Sequence, residues 1–394
     1  MTKIAIITGS RAEYGLFYPL LKKIDSDNEF SLQLIVTGMH LSPEFGLTYK
    51  VIERDGFDIL DKVEMLLSSD TETAISKAIG LGLIGFADSF RKLNPDLLLV
   101  LGDRFETYAA TIAGYIGKIP IGHFHGGELT EGVIDEGIRH SITKMSTYHF
   151  ATTDTYKRRI IQMGEQPNNV FNVGALGLDN IKSMTILSKK ELQKNIDFEI
   201  IKPTCILTYH PVTLEKRVLD DGIDNLLEIL DKRKNLRVIF TMPNADTNGR
   251  SIMKKIKLFV NKNPKRSIFF NSLGQKRYLS SLKYVDFVIG NSSSGIIEAP
   301  SFEIPTINIG DRQKGRIRAN TVIDCDSTKE SIDSAIDKAL SKDFITRCKF
   351  VNNPYGDGNT VSKVVEILRN ISLEKGDLIK KSFYDLDIDI KGHL

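Results

Sequence analysis

Cysteine is scarce. Cys205, Cys325 and Cys348 are the only three in 394 residues, and their wide spacing leaves no disulfide framework and no zinc pattern. An excess of one charge is lacking too. Lys and Arg number 53 against 50 Asp and Glu, a net charge of +3, whereas a nucleic-acid surface needs clustered basic charge. Long apolar runs are missing. The longest stretch without Asp, Glu, Lys or Arg, Phe30 to Pro43, includes Ser31, Gln33 and His40 and falls short of the ~18 apolar residues of a membrane span. The run from Lys3 to Thr8 is too short for the apolar core of a signal peptide. Repeats and low-complexity segments are also absent, and 41% hydrophobic with 26% charged residues is ordinary globular usage. Disorder, collagen and coiled coil are excluded. We expect a soluble, cytoplasmic protein with neither nucleic acid nor membrane as partner.

Against these absences stands one recurring theme. Short runs rich in β-branched residues alternate with segments of helical period, which predicts parallel strands joined by helices. In the first half the runs are Lys3–Thr8, Ser31–Thr37, Asp96–Leu101, Ile119–Phe124 and Tyr148–Thr152. In the second they are Cys205–Tyr209, Arg237–Thr241, Ser267–Phe270, Phe287–Ile289 and Thr306–Ile309. Runs such as Leu97–Leu101 do not alternate, as suits strands covered on both faces. The expectation is an α/β protein of two doubly wound domains. The first spans 1–175 and is open to completion by a C-terminal helix within 361–394; the second spans 176–360.

Nearly every run ends in a small or reactive residue, at the end where open parallel sheets bind ligands. Two such domains face to face would enclose a ligand between them. In the second, Asn291-Ser292-Ser293-Ser294-Gly295 offers hydroxyls and backbone donors to an anion, or caps a helix with serine. Glu298 follows, placed for two vicinal ribose hydroxyls. In the first, Ser10-Arg11-Ala12-Glu13 fits a capping box, which accounts for Ser10 and Glu13 but not for Arg11. Arg11, Arg104 and Arg312 are candidate diphosphate clamps. Pro19 suggests that the helix after Ser10 begins later or kinks.

The segment from His123 to His140 is the most informative, since five of the seven histidines lie between His123 and His210. His123 and His125 would share one face of a strand, followed by Gly126-Gly127-Glu128. Asp135 reads as an N-cap, with Arg139 one turn on, and Asp103 as another cap or a site residue. His123-x-His125 with Glu128 or Asp135 would also suit a divalent metal in a hydrolase.

These elements occur together: Gly9–Gly15, Val36–His40, Gly102-Asp103-Arg104, His-x-His-Gly-Gly-Glu at 123–128, Asp135-Glu136 with Ile138–Lys144, Asn291–Gly295 and Gly310–Gln313. From Lys3 to about Leu373 the chain resembles the hydrolysing UDP-N-acetylglucosamine 2-epimerases of sialic-acid biosynthesis. The resemblance implies two Rossmann-like domains in the glycosyltransferase-B arrangement, a UDP-sugar substrate with UDP as a product, no cofactor, no metal, and a homodimer or homotetramer. It implies that Ser292, Ser293 and Arg312 hold the diphosphate and Glu298 the ribose. Arg11 and Arg104 would reach across, with His210 and Asn244 lining the cleft. Asp103 and Asp135 match carboxylates assigned to catalysis, and His125 stands where many members carry glutamate. The acid–base set is then Asp103, His125 and Asp135, with Glu128 in reserve.

The expected reaction converts UDP-N-acetylglucosamine and water to N-acetylmannosamine and UDP. Its nearest rival is the same reaction on UDP-2,4-diacetamido-2,4,6-trideoxyglucose for legionaminic acid. A non-hydrolysing epimerase, a glycosyltransferase, a nucleotide-sugar binding module and a metal-dependent hydrolase are also compatible with these residues.

Overall fold

The computed structural model describes residues 1–69, 71–130, 133–211, 221–242, 249–371 and 380–386. Seven strands form the first sheet: β1 (Thr2–Thr8), β2 (Phe30–Thr37), β3 (Ile59–Val63), β4 (Leu97–Leu101), β5 (Ile121–Phe124), β6 (Tyr148–Ala151) and β7 (Val170–Asn172). Six form the second: β8 (Thr204–Thr208), β9 (Arg237–Thr241), β10 (Ser267–Phe270), β11 (Phe287–Gly290), β12 (Thr306–Ile309) and β13 (Val322–Cys325). All pairings are parallel. The orders are β3-β2-β1-β4-β5-β6-β7 and β10-β9-β8-β11-β12-β13, so each sheet starts centrally and winds outward both ways. The fold is α/β, with two Rossmann-like domains.

Side chains explain the layers. Along β1, Ile4 and Ile6 pack with Leu97 and Leu99 on one face, while Ala5 and Ile7 pack with Leu98 and Val100 on the other. In the second sheet, Leu207, Phe240 and Ile289 fill one face and Ile206, Ile239 and Val288 the opposite one. Strands apolar on both faces need helices on both sides, and the crossovers supply them.

The helix Arg11–Asp25 starts directly after its capping box and carries Pro19 inside, not the later start that Pro19 suggested. A proline lacks the N–H that would bond the carbonyl four residues back. That carbonyl belongs to Gly15, and Asn180 Nδ2 donates to it at 3.0 Å. The vacancy is filled from another helix.

That helix, Gly177–Ser183, packs on Arg11–Asp25, although the sequence placed it in the second domain. The helix Thr360–Asn370 returns to the same place: Val364, Val365 and Leu368 join Phe17, Leu20 and Leu21 in one core. The backbone N–H groups of Thr360 and Val361 both donate to Asp179, each at 3.0 Å. Further on, Lys381 Nζ donates to the carbonyls of Lys144 and Ser146 at 2.8 and 2.6 Å. We propose that the first domain comprises residues 1–183 together with 360–370 and 380–386.

Candidate active site

Both sheets have a switch point, between β1 and β4 and between β8 and β11, where neighbouring strands send their connections opposite ways. The carboxyl ends there face each other across a cleft of about 340 Å³ lined from both domains.

On the second domain's side, Gly290 ends β11 with φ at +136°, and a Cβ there would lie 1.9 Å from the Thr208 carbonyl oxygen. Only glycine fits. The next residue, Asn291, is fully buried. Its Oδ1 accepts from the His210 N–H at 2.6 Å and its Nδ2 donates to the His210 carbonyl at 2.8 Å. This two-way clasp ties the ends of β8 and β11 and sets His210 against the cleft. Asn291 O accepts from Gln313 Nε2 at 2.9 Å and from Arg312 Nη1 at 3.2 Å, fixing the loop after β12.

Ser292 precedes a short helix, Ser293–Ile297, without capping it. Ser292, Ser293 and Ser294 all line the cleft, and the Ser294 hydroxyl lies 2.6 Å from that of Tyr278. Glu298 closes the helix and is 7% exposed. Burial pushes its carboxyl up to about 7, and among the described residues no hydrogen bond reaches it. A buried carboxylate without donors is costly, so this position invites a ligand that brings donors.

On the first domain's side, Arg104 is gripped by Glu106, Nε to Oε2 at 3.2 Å and Nη2 to Oε1 at 3.0 Å. Glu13 lies beside them. Its Oε2 accepts from the Gly9 and Ser10 N–H groups at 2.7 and 3.2 Å. Burial pushes Glu13 up to about 7, with Arg104 opposing and Glu106 adding to the rise. Arg11 lines the cleft and packs over Gly274, where φ is +67° and the guanidinium leaves no space for a Cβ.

The floor is built around Arg139, 1% exposed. Arg139 pairs with Asp103 and with Glu136 Oε2 at 2.7 Å, and it donates to the Glu128 carbonyl at 2.9 Å and to Thr130 Oγ1 at 2.7 Å. Burial alone would raise the Asp103 carboxyl, but Arg139 and Arg316 hold it below the usual carboxylate range. Asp103 and Asp135 both line the cleft. Neither is an N-cap: Arg104 holds that position before the helix Phe105–Ile116 and Ile134 before the helix Asp135–Met145, neither with a side-chain capping bond.

The shared face expected of His123 and His125 does not form. β5 stops at Phe124, and His125 turns away with φ at +64°. His123 is buried, with Nε2 2.7 Å from Gly102 O and Nδ1 3.2 Å from Thr143 Oγ1. It braces the floor and does not pair with His125 around a common ion. Among the described residues, no group of three or more His, Cys, Asp or Glu is placed to hold a metal. His125 does line the cleft, whereas Glu128 sits behind it, fully buried.

Ser292, Ser293, Glu298, Arg312, His210, Arg11, Arg104, Asp103, His125 and Asp135 therefore converge on one cleft. Asn244 lies outside the described residues. Sequence reasoning missed Arg316, which lines the cleft and pairs with Glu128, and the bracing roles of Asn291 and Glu106. No spacing announces Arg316 or Asn291, because each acts on a partner distant in the chain, whereas Glu106 grips Arg104 two residues away.

A two-domain α/β enzyme with its cleft at facing switch points is the class defined by fold and site. The family model described as UDP-N-acetylglucosamine 2-epimerase matches residues 22–369. The chain is 43% identical over 98% of its length to the hydrolysing GDP/UDP-N,N'-diacetylbacillosamine 2-epimerase of Campylobacter jejuni, covering 99% of that protein. It is 40% identical to the polysialic acid biosynthesis protein P7 of Escherichia coli, over 98% of each chain. The UDP-GlcNAc 2-epimerase structure from Neisseria meningitidis bound to UDP-GlcNAc superimposes with a TM-score of 0.78 at 19% identity, over 94% of this chain and 100% of that one. The chain belongs to the hydrolysing UDP-N-acetylglucosamine 2-epimerase family.

Proposed function

We propose that the enzyme cleaves and epimerises a UDP-2-acetamido sugar, releasing UDP and the free 2-epimer. The supporting observation is the cleft itself. Asp103, His125 and Asp135 stand on one wall, and Ser292, Ser293, Arg312 and Glu298 on the other. Of the two sugars considered, we favour UDP-2,4-diacetamido-2,4,6-trideoxyglucose, which is UDP-N,N'-diacetylbacillosamine, over UDP-N-acetylglucosamine. The 43% identity to a hydrolysing epimerase named for that sugar supports this order. The product would be the corresponding 2-epimeric free sugar, an intermediate for a nonulosonic acid of the sialic or legionaminic type.

The chemistry assigns tasks to residues. The C2 proton has no adjacent carbonyl and becomes acidic only as the C1–O bond breaks. Ser292, Ser293, Arg11 and Arg312 would stabilise the charge gathering on the departing diphosphate, while Glu298 takes the ribose hydroxyls. A base removes the C2 proton, and the C–H electron pair becomes the C1=C2 bond as the C1–O electrons leave with UDP. Water then adds its oxygen to C1, and a proton reaches C2 from the opposite face. Asp103, His125 and Asp135 supply groups for both transfers. Arg104, neutralised by Glu106, shapes the cleft. His210 and Asn244 are assigned to nucleotide contacts.

Incubation in heavy water with each UDP-sugar, followed by mass spectrometry, tests the reaction. One deuterium at C2 of the product and free UDP are expected, with a higher kcat/KM for the diacetylated sugar. Unlabelled product would reject elimination, and UDP-sugar as the only product would indicate a non-hydrolysing epimerase. We also propose a cytoplasmic homodimer or homotetramer, to be measured by light scattering.

A further inference from the structure

Glu128 is conspicuous because it is fully buried, charged and held by three partners, yet does not reach the cleft. Its Oε1 lies 3.0 Å from His125 Nδ1 and accepts from Thr152 Oγ1 at 3.0 Å. Its Oε2 lies 3.0 Å from Nη2 of Arg316, which comes from the other domain. The Arg316 loop is itself pinned to the first domain. The Ile317 N–H donates to Tyr156 Oη of that domain at 2.8 Å, and Tyr355, outside it, donates from Oη to the Ile317 carbonyl at 2.9 Å and lies 3.2 Å from Tyr156 Oη.

Burial alone would raise the Glu128 carboxyl, but Arg316 and His125 hold it down to about 2. An ionised carboxylate can only accept hydrogen bonds. The proton on this edge of the imidazole is therefore on Nδ1, and in the neutral ring Nε2 carries the lone pair. Nε2 is buried with no hydrogen-bond partner among the described residues, and the ring lines the cleft. A carboxylate behind a histidine fixes the tautomer and stabilises the imidazolium once a proton arrives.

The geometry points to Glu128 and Arg316 as positioning residues that hold His125 as the base of the reaction, Glu128 by orienting the ring and Arg316 by anchoring Glu128 from the opposite domain. This rests on the reading of His125 as a member of the acid–base set. It gives Glu128 a task other than proton transfer to substrate. It also makes His125 ready only when both domains are in register, because half of its support comes from each. Among the described residues, Asp103 and Asp135 line the same cleft as His125, and Asp103 is paired with Arg139. Tyr156 and Tyr355 add neutral phenols, both pushed upward chiefly by burial.

Two variants separate this role from a merely structural one, since they should move the pH profile in opposite directions. Glu128→Gln removes the anion that favours the protonated ring, so the acid limb of kcat/KM should shift to lower pH. Arg316→Met removes an opposing cation, so the limb should shift to higher pH. In both, kcat should fall about 10²-fold or more with KM little changed, and Arg316→Lys should restore part of the loss. Limbs that stay put, limbs that move the same way, or a loss confined to KM would overturn the proposal. Nitrogen-15 spectra of the histidines, with His125 assigned by His125→Gln, provide a readout independent of turnover. In the parent enzyme the neutral tautomer is expected to carry its proton on Nδ1, towards Glu128. An Nε2-protonated ring would refute the proposal even if UDP release were confirmed. Failure of the parent to release UDP would instead defeat the reaction assignment and leave the tautomer result to decide the positioning role.

Discussion

At the scale of single residues, the two walls make different demands on charge. Asp103 is ionised against Arg139, so Asp103→Asn keeps the shape and removes the charge. Turnover should drop about 10²–10⁴-fold while calorimetric UDP binding persists. Glu298 is the opposite case, a carboxyl pushed by burial up to about 7 from an ordinary 4.5. The folded chain holds that proton more tightly than the unfolded one. Its contribution to stability is therefore present below about pH 4.5 and lost as pH rises towards 7. Ribose hydroxyls donate to the ionised form, so UDP affinity should strengthen as pH rises through about 7. Glu298→Gln should flatten that part of the dependence, as titration calorimetry at several pH values would show. Both residues were legible in the sequence, Asp103 just past a strand end after Gly102 and Glu298 one helical turn beyond the serine run that follows another. Arg316 was not, since its meaning comes from Glu128, which only the fold brings near. The shared face of His123 and His125 failed for a similar reason: two-residue spacing means one face only while the strand lasts, and β5 ends between them.

At the scale of elements, ten of the strands were readable because their side chains are apolar on both faces. The three that escaped, β3, β7 and β13, all lie at sheet edges. Edge strands are half-exposed and carry polar residues; β3 reads Ile-Leu-Asp-Lys-Val, and β7 is three residues long. Pro19 was misleading because its cost is met by tertiary structure. Asn180→Ala should leave the Gly15 carbonyl without its donor and destabilise the enzyme by about 1–3 kcal/mol, measured by urea unfolding. Pro19→Ala restores a backbone donor to that carbonyl. The same Asn180→Ala change should therefore cost less in a Pro19→Ala background, and equal costs in both would disprove the compensation.

At the scale of the whole molecule, the two domains are tied at three depths. Arg316 with Glu128 lies buried at the floor, Arg11 over Gly274 lies partway out, and Arg250 with Glu44 spans the rim. The rim pair is bidentate, Nε to Oε1 at 3.0 Å and Nη2 to Oε2 at 2.8 Å, but its side chains are 38% and 41% exposed. An exposed pair contributes only about 0–1 kcal/mol and is screened by salt. Such a pair yields easily, whereas the floor pair, shielded from water, suits alignment of the base. Glu44→Gln should therefore change KM or product release by no more than about 5-fold, and added salt should mimic it in the parent. The acid limb of the pH profile should stay in place. If stopped-flow release of UDP were unchanged by both Glu44→Gln and salt, the rim pair would have no part in opening. If Glu44→Gln instead reduced kcat as far as Arg316→Met does, the distinction between a yielding rim and a fixed floor would fail.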